Sequence, residues 1–318
     1  MSRRIKITAL FFFFILAKHI AFAQTDLDAI MMGKNRLCVG PMYSYSSWKN
    51  YWEGTRKRDN RNLGAVSTQM YSVMGAYGVT SKLNVLFGVP YVKTKSSAGT
   101  LHGMKGLQDL SLFVKWMPVE QDMLGGVFSM YGIGGVSFPL TDYVADFLPL
   151  SIGLRSKTAS ARVMADYQRG SIFVTGSATY VLRDNIKIDR DYYYTTQGHL
   201  TNEVSMPDGA NYNFRAGLRN ERLIAEAVLN IWKTLGGFDI TRNNMPFPSN
   251  KMNATTVGVN IKYVVLPRVN EISLVAGGNT TIAGRNVGQS TNFYASIFYV
   301  FDFSRKPKTT SVQPAKTN

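Results

Sequence analysis

The sequence predicts an all-β fold, a transmembrane antiparallel β-barrel of about twelve strands with short periplasmic turns and long extracellular loops. Three observations predict it. An export signal opens the chain, apolar residues then recur at every second position, and the connections between such stretches alternate between short and long.

The 318 residues carry 36 Lys+Arg against 20 Asp+Glu, a net charge of +16, with 45% hydrophobic, 12% aromatic and 18% charged residues. That is too apolar for a disordered chain and sparsely charged for a soluble one. The single cysteine, Cys38, excludes an internal disulfide framework, and the sequence holds no Cys/His cluster for structural zinc. No metal and no cofactor are expected.

Residues 1–23 read as a secretory signal peptide. Arg3, Arg4 and Lys6 precede an apolar run over 7–17, and Ala21-Phe22-Ala23 offers small residues where signal peptidase cuts. The run is too short to cross about 30 Å of hydrocarbon as a helix. Cleavage near Ala23 removes four positive charges and sends the product to the outer membrane of a Gram-negative cell. Residues 24–35 are then a short periplasmic segment, 36–303 the barrel, and 304–318 a basic, disordered periplasmic tail containing Arg305, Lys306, Lys308 and Lys316. Positive charge sits in the tail, in a loop around Arg56-Lys57-Arg58 and in strand interiors, so nucleic acid is not an expected partner. Outer-membrane lipid and a small-molecule solute are; the oligomeric state is not legible.

The alternating stretches are, in order, 36–53, 66–78, 82–95, 107–117, 126–139, 158–168, 171–183, 210–219, 223–234, 255–265, 271–281 and 291–303. Leu83, Val85, Phe87 and Val89 share one parity against Asn84, Gly88 and Pro90; Leu110, Leu112, Val114 and Trp116 alternate with Asp109, Ser111 and Lys115. Val257, Val259, Ile261 and Tyr263 do the same against Gly258, Asn260 and Lys262. Side chains of a strand point alternately to its two faces, so each stretch has one apolar and one polar face. The second and fifth alternate poorly, which leaves the count open by two. Every other link is short (79–81, 118–125, 169–170, 220–222, 266–270), as in barrels with tight turns at one end and long loops at the other. An exported β-sandwich also alternates, but its links need not sort by parity. Tyr91 and Tyr180 near loop ends, with Trp116, Tyr167, Tyr263 and Phe301 near turn ends, match two interfacial girdles.

Two of these stretches carry a resemblance. YGVTSKLNVLFGVPY over 77–91 and GLQDLSLFVKW over 106–116 resemble the YGLTD-x-L, VPYV and GLGDL-x-L-x-x-K pattern of the barrel proteins assigned to the phenol meta-cleavage pathway, a family related to fatty-acid and hydrocarbon transporters. The resemblance is confined to 77–116 and is architectural elsewhere. It implies an outer-membrane barrel of about twelve strands and uptake of small, often aromatic or apolar, molecules. Long-chain fatty-acid transporters carry a sizeable N-terminal hatch, whereas 24–35 is too short for a folded plug. A short peptide could still enter the lumen, with gating left mainly to loops or lumen side chains.

Inward parity assigns Asp109, Lys115, Arg162, Asp166, Arg215, Arg219, Glu226, Lys262 and Asp302 to the pore lining. They either fill the barrel as compensating ion pairs or form a charged constriction, since charge on the lipid face is costly. Arg215, Arg219 and Glu226 form the preferred selectivity cluster. Phe147 and Leu148 in the apolar loop 140–157, with Tyr192, Tyr193 and Tyr194 in the loop 184–209, are candidates for ligand capture; the competing reading is a lid in which the loops pack together. Gly132-Ile133-Gly134-Gly135 approaches a nucleotide loop but sits in a strand, where glycines relieve crowding inside a barrel. His199-Leu200-Thr201-Asn202 approaches the His-x-Ser-Asn of outer-membrane phospholipases, but Thr is the poorer nucleophile, so no enzyme is expected. The function read from the sequence is passive uptake of small solutes. The alternatives are a closed structural or adhesion barrel and an outer-membrane lipid hydrolase.

Overall fold

A computed structural model describes residues 25–241, 245–265 and 271–304. The stretch read as a signal peptide, 1–23, and the tail beyond 304 lie outside the described residues.

Among these, twelve long strands form the barrel: β1 (Arg36–Trp48), β2 (Val66–Thr80), β3 (Leu83–Ser96), β4 (Asp109–Met123), β5 (Gly126–Pro139), β6 (Thr158–Arg169), β7 (Ile172–Arg183), β8 (Gly209–Arg219), β9 (Leu223–Thr234), β10 (Asn253–Val264), β11 (Ile272–Arg285) and β12 (Thr291–Asp302). Each pairs antiparallel with its neighbours in the chain, and β1 pairs with β12, which closes the ring. Closure leaves no strand edge, the condition hydrocarbon imposes on a sheet.

The parity rule holds around the wall. Val85, Val114, Trp116, Val174, Val259, Ile261 and Phe293 are exposed on the outer face, with Tyr43, Tyr71, Tyr91 and Tyr180 towards the loop end and Tyr263 and Phe301 towards the turn end. Among the described residues the links sort as expected; the short link 266–270 lies outside them. At one end Leu124 and Gly125 join β4 to β5 with φ of 51° and 76°, the left-handed pair that a tight hairpin turn requires.

Three stretches differ from the sequence reading. The first ends at Trp48, after which Asn50–Glu53 and Arg56–Asp59 form a separate hairpin above the barrel. The fourth does not stop before Pro118: β4 continues to Met123, because a bulge between Trp116 and Val119 absorbs a residue that cannot donate to the ladder. Of the glycines in the fifth, Gly135 does relieve crowding, since a Cβ there would meet the Phe113 ring, but Gly132 and Gly134 face open space outside.

The long loops close the opposite end by apolar packing. Ala145, Ile186, Ile188, Tyr193, Val204, Met206 and Phe247 form one cluster from three loops, and Leu63, Val66 and Leu150 form another. Tyr143 Oη donates to Asp109 Oδ1 at 2.7 Å, tying this cap to the rim of β4. Burial and that hydrogen bond raise the Tyr143 phenol above its ordinary range, so it stays a donor.

Candidate functional site

The inner face of the wall carries the chain's buried charges interspersed with apolar side chains, and the N-terminal stretch fills its centre. Residues 25–33 run inside the ring, in the place the sequence left open for a short peptide, rather than below the barrel as a periplasmic segment. The physical reason is a set of cations that the strand register holds in the wall. Lys115 on β4, 0% exposed, donates to the carbonyls of Thr25 at 3.2 Å and Ile30 at 2.9 Å, to that of Asp28, and to the Asp28 carboxylate at 3.1 Å. Arg162 on β6 pairs with Asp26 at 2.8 Å. Asn84 on β3 binds both backbone groups of Met32 at 3.0 Å, substituting for a strand neighbour, and Tyr131 donates to the Ala29 carbonyl at 2.9 Å.

Apolar contacts complete the fit. Ala29 packs with Met117, Tyr131, Ile133 and Met164, Ile30 with Phe173 and Ile224, and Met32 with Cys38, Phe298 and Val300. Burying Ile30 and Met32 contributes roughly 1.5–3 kcal/mol each, and breaking a buried pair such as Lys115–Asp28 from one side costs about 3–5 kcal/mol. The segment is therefore a fixed part of the interior.

The nine residues assigned inward all lie on the inner face but do different things. Lys115 and Arg162 hold the peptide. The preferred cluster divides in two: Arg215 pairs with Glu226 at 2.6 Å, while Arg219 reaches Asp166 on β6, two strands away, at 2.9 and 3.2 Å. The two arginines stand four positions apart along β8, enough height for each to meet a different carboxylate. Asn260 and Tyr294 extend the first pair at 2.9 and 3.1 Å, and the Arg219 guanidinium sits 3.9 Å over the Phe173 ring. Lys262 is buried on β10. Asp302 pairs with Arg36 at the turn end at 3.0 Å, and Asp109 serves the cap.

In the loops, Tyr193 is 7% exposed, stacked between His199 and Phe247, whereas Tyr192 and Tyr194 are 51% and 54% exposed. Phe147 packs against the Leu63–Val66–Leu150 cluster and Leu148 is half-buried beside it. The His199 ring meets Thr195 Oγ1 at 2.9 Å rather than Thr201, whose hydroxyl accepts from Glu203 N.

Sequence reasoning missed Asp26 and Asp28 as the peptide's anchoring carboxylates, and Asn84 and Tyr131 as wall residues that hold it. A signal existed: the inward charges carry five cations against four carboxylates, and Asp26-x-Asp28 lies just ahead of the first strand.

Around the peptide the lumen keeps a chain of cavities. One of about 420 Å³, lined by Arg162, Thr179, Asn230 and Trp232, shares Asp26, Ser111 and Phe113 with an apolar one of about 250 Å³ walled by Met42, Met70, Met74 and Leu86. That cavity lies where the β3–β4 ladder slips by one residue, between Gly88↔Ser111 and Tyr91↔Leu107 beside Pro90. It shares Thr25, Met42 and Met74 with a third of about 220 Å³ that reaches Arg215, Glu226 and Lys262. The third shares Ile30 and Arg219 with a vestibule of about 780 Å³ at the turn end.

No protein-family model matches this chain, and no curated protein matches it. Among solved structures it is similar to an outer membrane channel from Pseudomonas putida F1, with a TM-score of 0.68 and 12% identity over 88% of this chain and 100% of that one. It also matches a deletion mutant of the TodX monoaromatic hydrocarbon channel (TM-score 0.44, 8% identity, 86% of this chain, 91% of that one). A third match is the translocator domain of the autotransporter NalP from Neisseria meningitidis (0.43, 11%, 87% and 91%). The first likeness establishes the fold: a closed antiparallel β-barrel of the outer-membrane type.

Proposed function

We propose that this protein is a passive outer-membrane channel for small solutes, apolar and aromatic compounds among them. The observation that carries the reading is the chain of cavities, each sharing lining residues with the next, that passes the peptide from beneath the loop cap to the turn-end vestibule. Methionines and Phe113 wall its upper middle, a surface that adapts to apolar cargo of varied shape. Arg162, Asp166, Arg215, Arg219, Glu226 and Lys262 border one or more of these cavities and are the residues assigned to permeation. Tyr192 and Tyr194 present exposed rings above the cap for capture. The TodX channel is described as a monoaromatic hydrocarbon channel, in keeping with a small apolar cargo.

A closed structural barrel is the competing reading, and the fixed peptide favours it. Single-channel recording and liposome swelling separate the two. The channel reading expects small, discrete currents and swelling with small neutral solutes, with currents reduced by a dissolved aromatic alcohol. A purified barrel silent in both assays would leave the structural role.

A further inference from the structure

The outer wall at the loop end of β1–β3, together with the short strand Lys105–Leu107 that pairs with β3 ahead of β4, carries a charge arrangement that the transport reading does not use. The register sets Tyr43, Tyr71, Tyr91 and Leu107 side by side across four neighbouring segments, all exposed on the lipid-facing side. One outward position higher, the same register aligns Tyr45, Gln69, Lys93 and Lys105. Lys95 stands one further outward position above Lys93, opposite Ser67.

Lys93 and Lys105 are thus directly opposed across a strand pair, where like charges destabilise a sheet. Paired strands lie about 4.8 Å apart and alternate residues about 6.8 Å along a strand, so the register roots the three lysines close enough for their long side chains to reach one anion. All three lysines are exposed, and none has a carboxylate partner among the described residues. The hairpin at Arg56–Asp59 differs: Arg58 pairs with Glu53 and Lys49 with Asp59. The Tyr180 sector differs too, since its phenol already donates to Asp208.

We propose that Lys93, Lys95 and Lys105 form a docking site for the phosphorylated headgroup of an outer-leaflet lipid. Position selects the lipid over a soluble anion. The lysines share the lipid-facing parity of Tyr91 and stand directly above the aromatic band, the level of the headgroups, where their stems lie along the wall. One phosphate between Lys93 and Lys105 would turn their repulsion into a pair of charge-assisted hydrogen bonds.

The test titrates the full-length barrel, in neutral detergent with EDTA, with bisphosphorylated lipid A and its dephosphorylated form, read by native mass spectrometry. Replacing the three lysines together (Lys93→Gln, Lys95→Gln, Lys105→Gln) should weaken binding of the phosphorylated lipid on the order of a hundredfold. Lys233→Gln, an exposed lysine on another sector, should leave it unchanged. A Lys93→Arg, Lys105→Arg variant should retain binding, which guards against a folding defect in the triple variant. Equal binding by the triple variant, equal binding of dephosphorylated lipid, or displacement by inorganic phosphate at equal concentration would each overturn the site.

Discussion

The lumen and the loop cap are both filled, but by different means. In the lumen, Lys115–Asp28, Arg162–Asp26, Arg219–Asp166 and Arg215–Glu226 connect strands to the peptide or to one another. In the cap, Tyr193, Phe247, Ile186 and Val204 bury apolar surface against each other, with a few polar ties at the edge. The difference follows from the frame. A closed ladder holds each inward side chain at a set height and azimuth, so opposite charges can be matched pair by pair. Loops have no such lattice and close as a soluble core does, by non-directional burial. A lumen built of pairs is opened by removing one charge; a cap built of packing loosens gradually.

The largest expected effect breaks the lumen side of that contrast. Lys115→Met strands the Asp28 carboxylate and three carbonyls without their donor, at about 3–5 kcal/mol, while the strand ladder stays intact. Single-channel conductance should rise several-fold and residues 25–33 should become open to protease. Unchanged conductance would show that the peptide is not the seal.

Tyr193→Ala addresses the cap. Losing a buried ring stacked on His199 and Phe247 should cost about 3 kcal/mol of local packing and speed proteolysis of the loop 184–209, with little change in conductance. A larger conductance gain here than in Lys115→Met would move the barrier into the loops.

Sharpening the charge pattern comes next. Arg215→Ala with Arg219→Ala leaves Glu226 and Asp166 without their guanidinium partners. At an effective dielectric of ~20 each lost charge changes the energy of an ion ~8 Å away by about 2 kcal/mol, so reversal potentials should shift towards cation selectivity. Potentials that do not move would remove these arginines from permeation.

The smallest effect concerns pH. Hydrogen bonds from Arg285 and then Asn286 hold the Asp239 carboxyl below the ordinary carboxylate range, at a half-exposed site where water weakens the gain. A depressed folded-state pKa means the contribution is fully present above the unfolded value near 3.8 and is lost as pH falls through the folded one. Protection factors around 238–240, corrected for the intrinsic pH dependence of amide exchange, should therefore stay flat from pH 7 to 5 and fall slightly below pH 4; a fall already at pH 6 would point to another group.

The alternating strands were legible because lipid outside and a charge-paired interior impose opposite demands on adjacent residues, as Val114 and Lys115 show. Legibility failed on β2 and β5, and the structure gives the cause. There the inward residues are themselves apolar: Met70 and Met74 wall a cavity, and Tyr131 and Ile133 pack against Ala29. The pattern weakens where the inner face is itself lined by apolar side chains.

The sequence by itself determined the barrel class, the side faced by residues in the clearly alternating strands and the sorting of turns from loops, because period and link length are local properties of a strand. Only the tertiary structure decided that residues 25–33 sit in the lumen, that Arg219 pairs with Asp166 rather than Glu226, and that Lys93 opposes Lys105. Those outcomes depend on height around a closed barrel, which register sets through contacts between segments far apart in the chain.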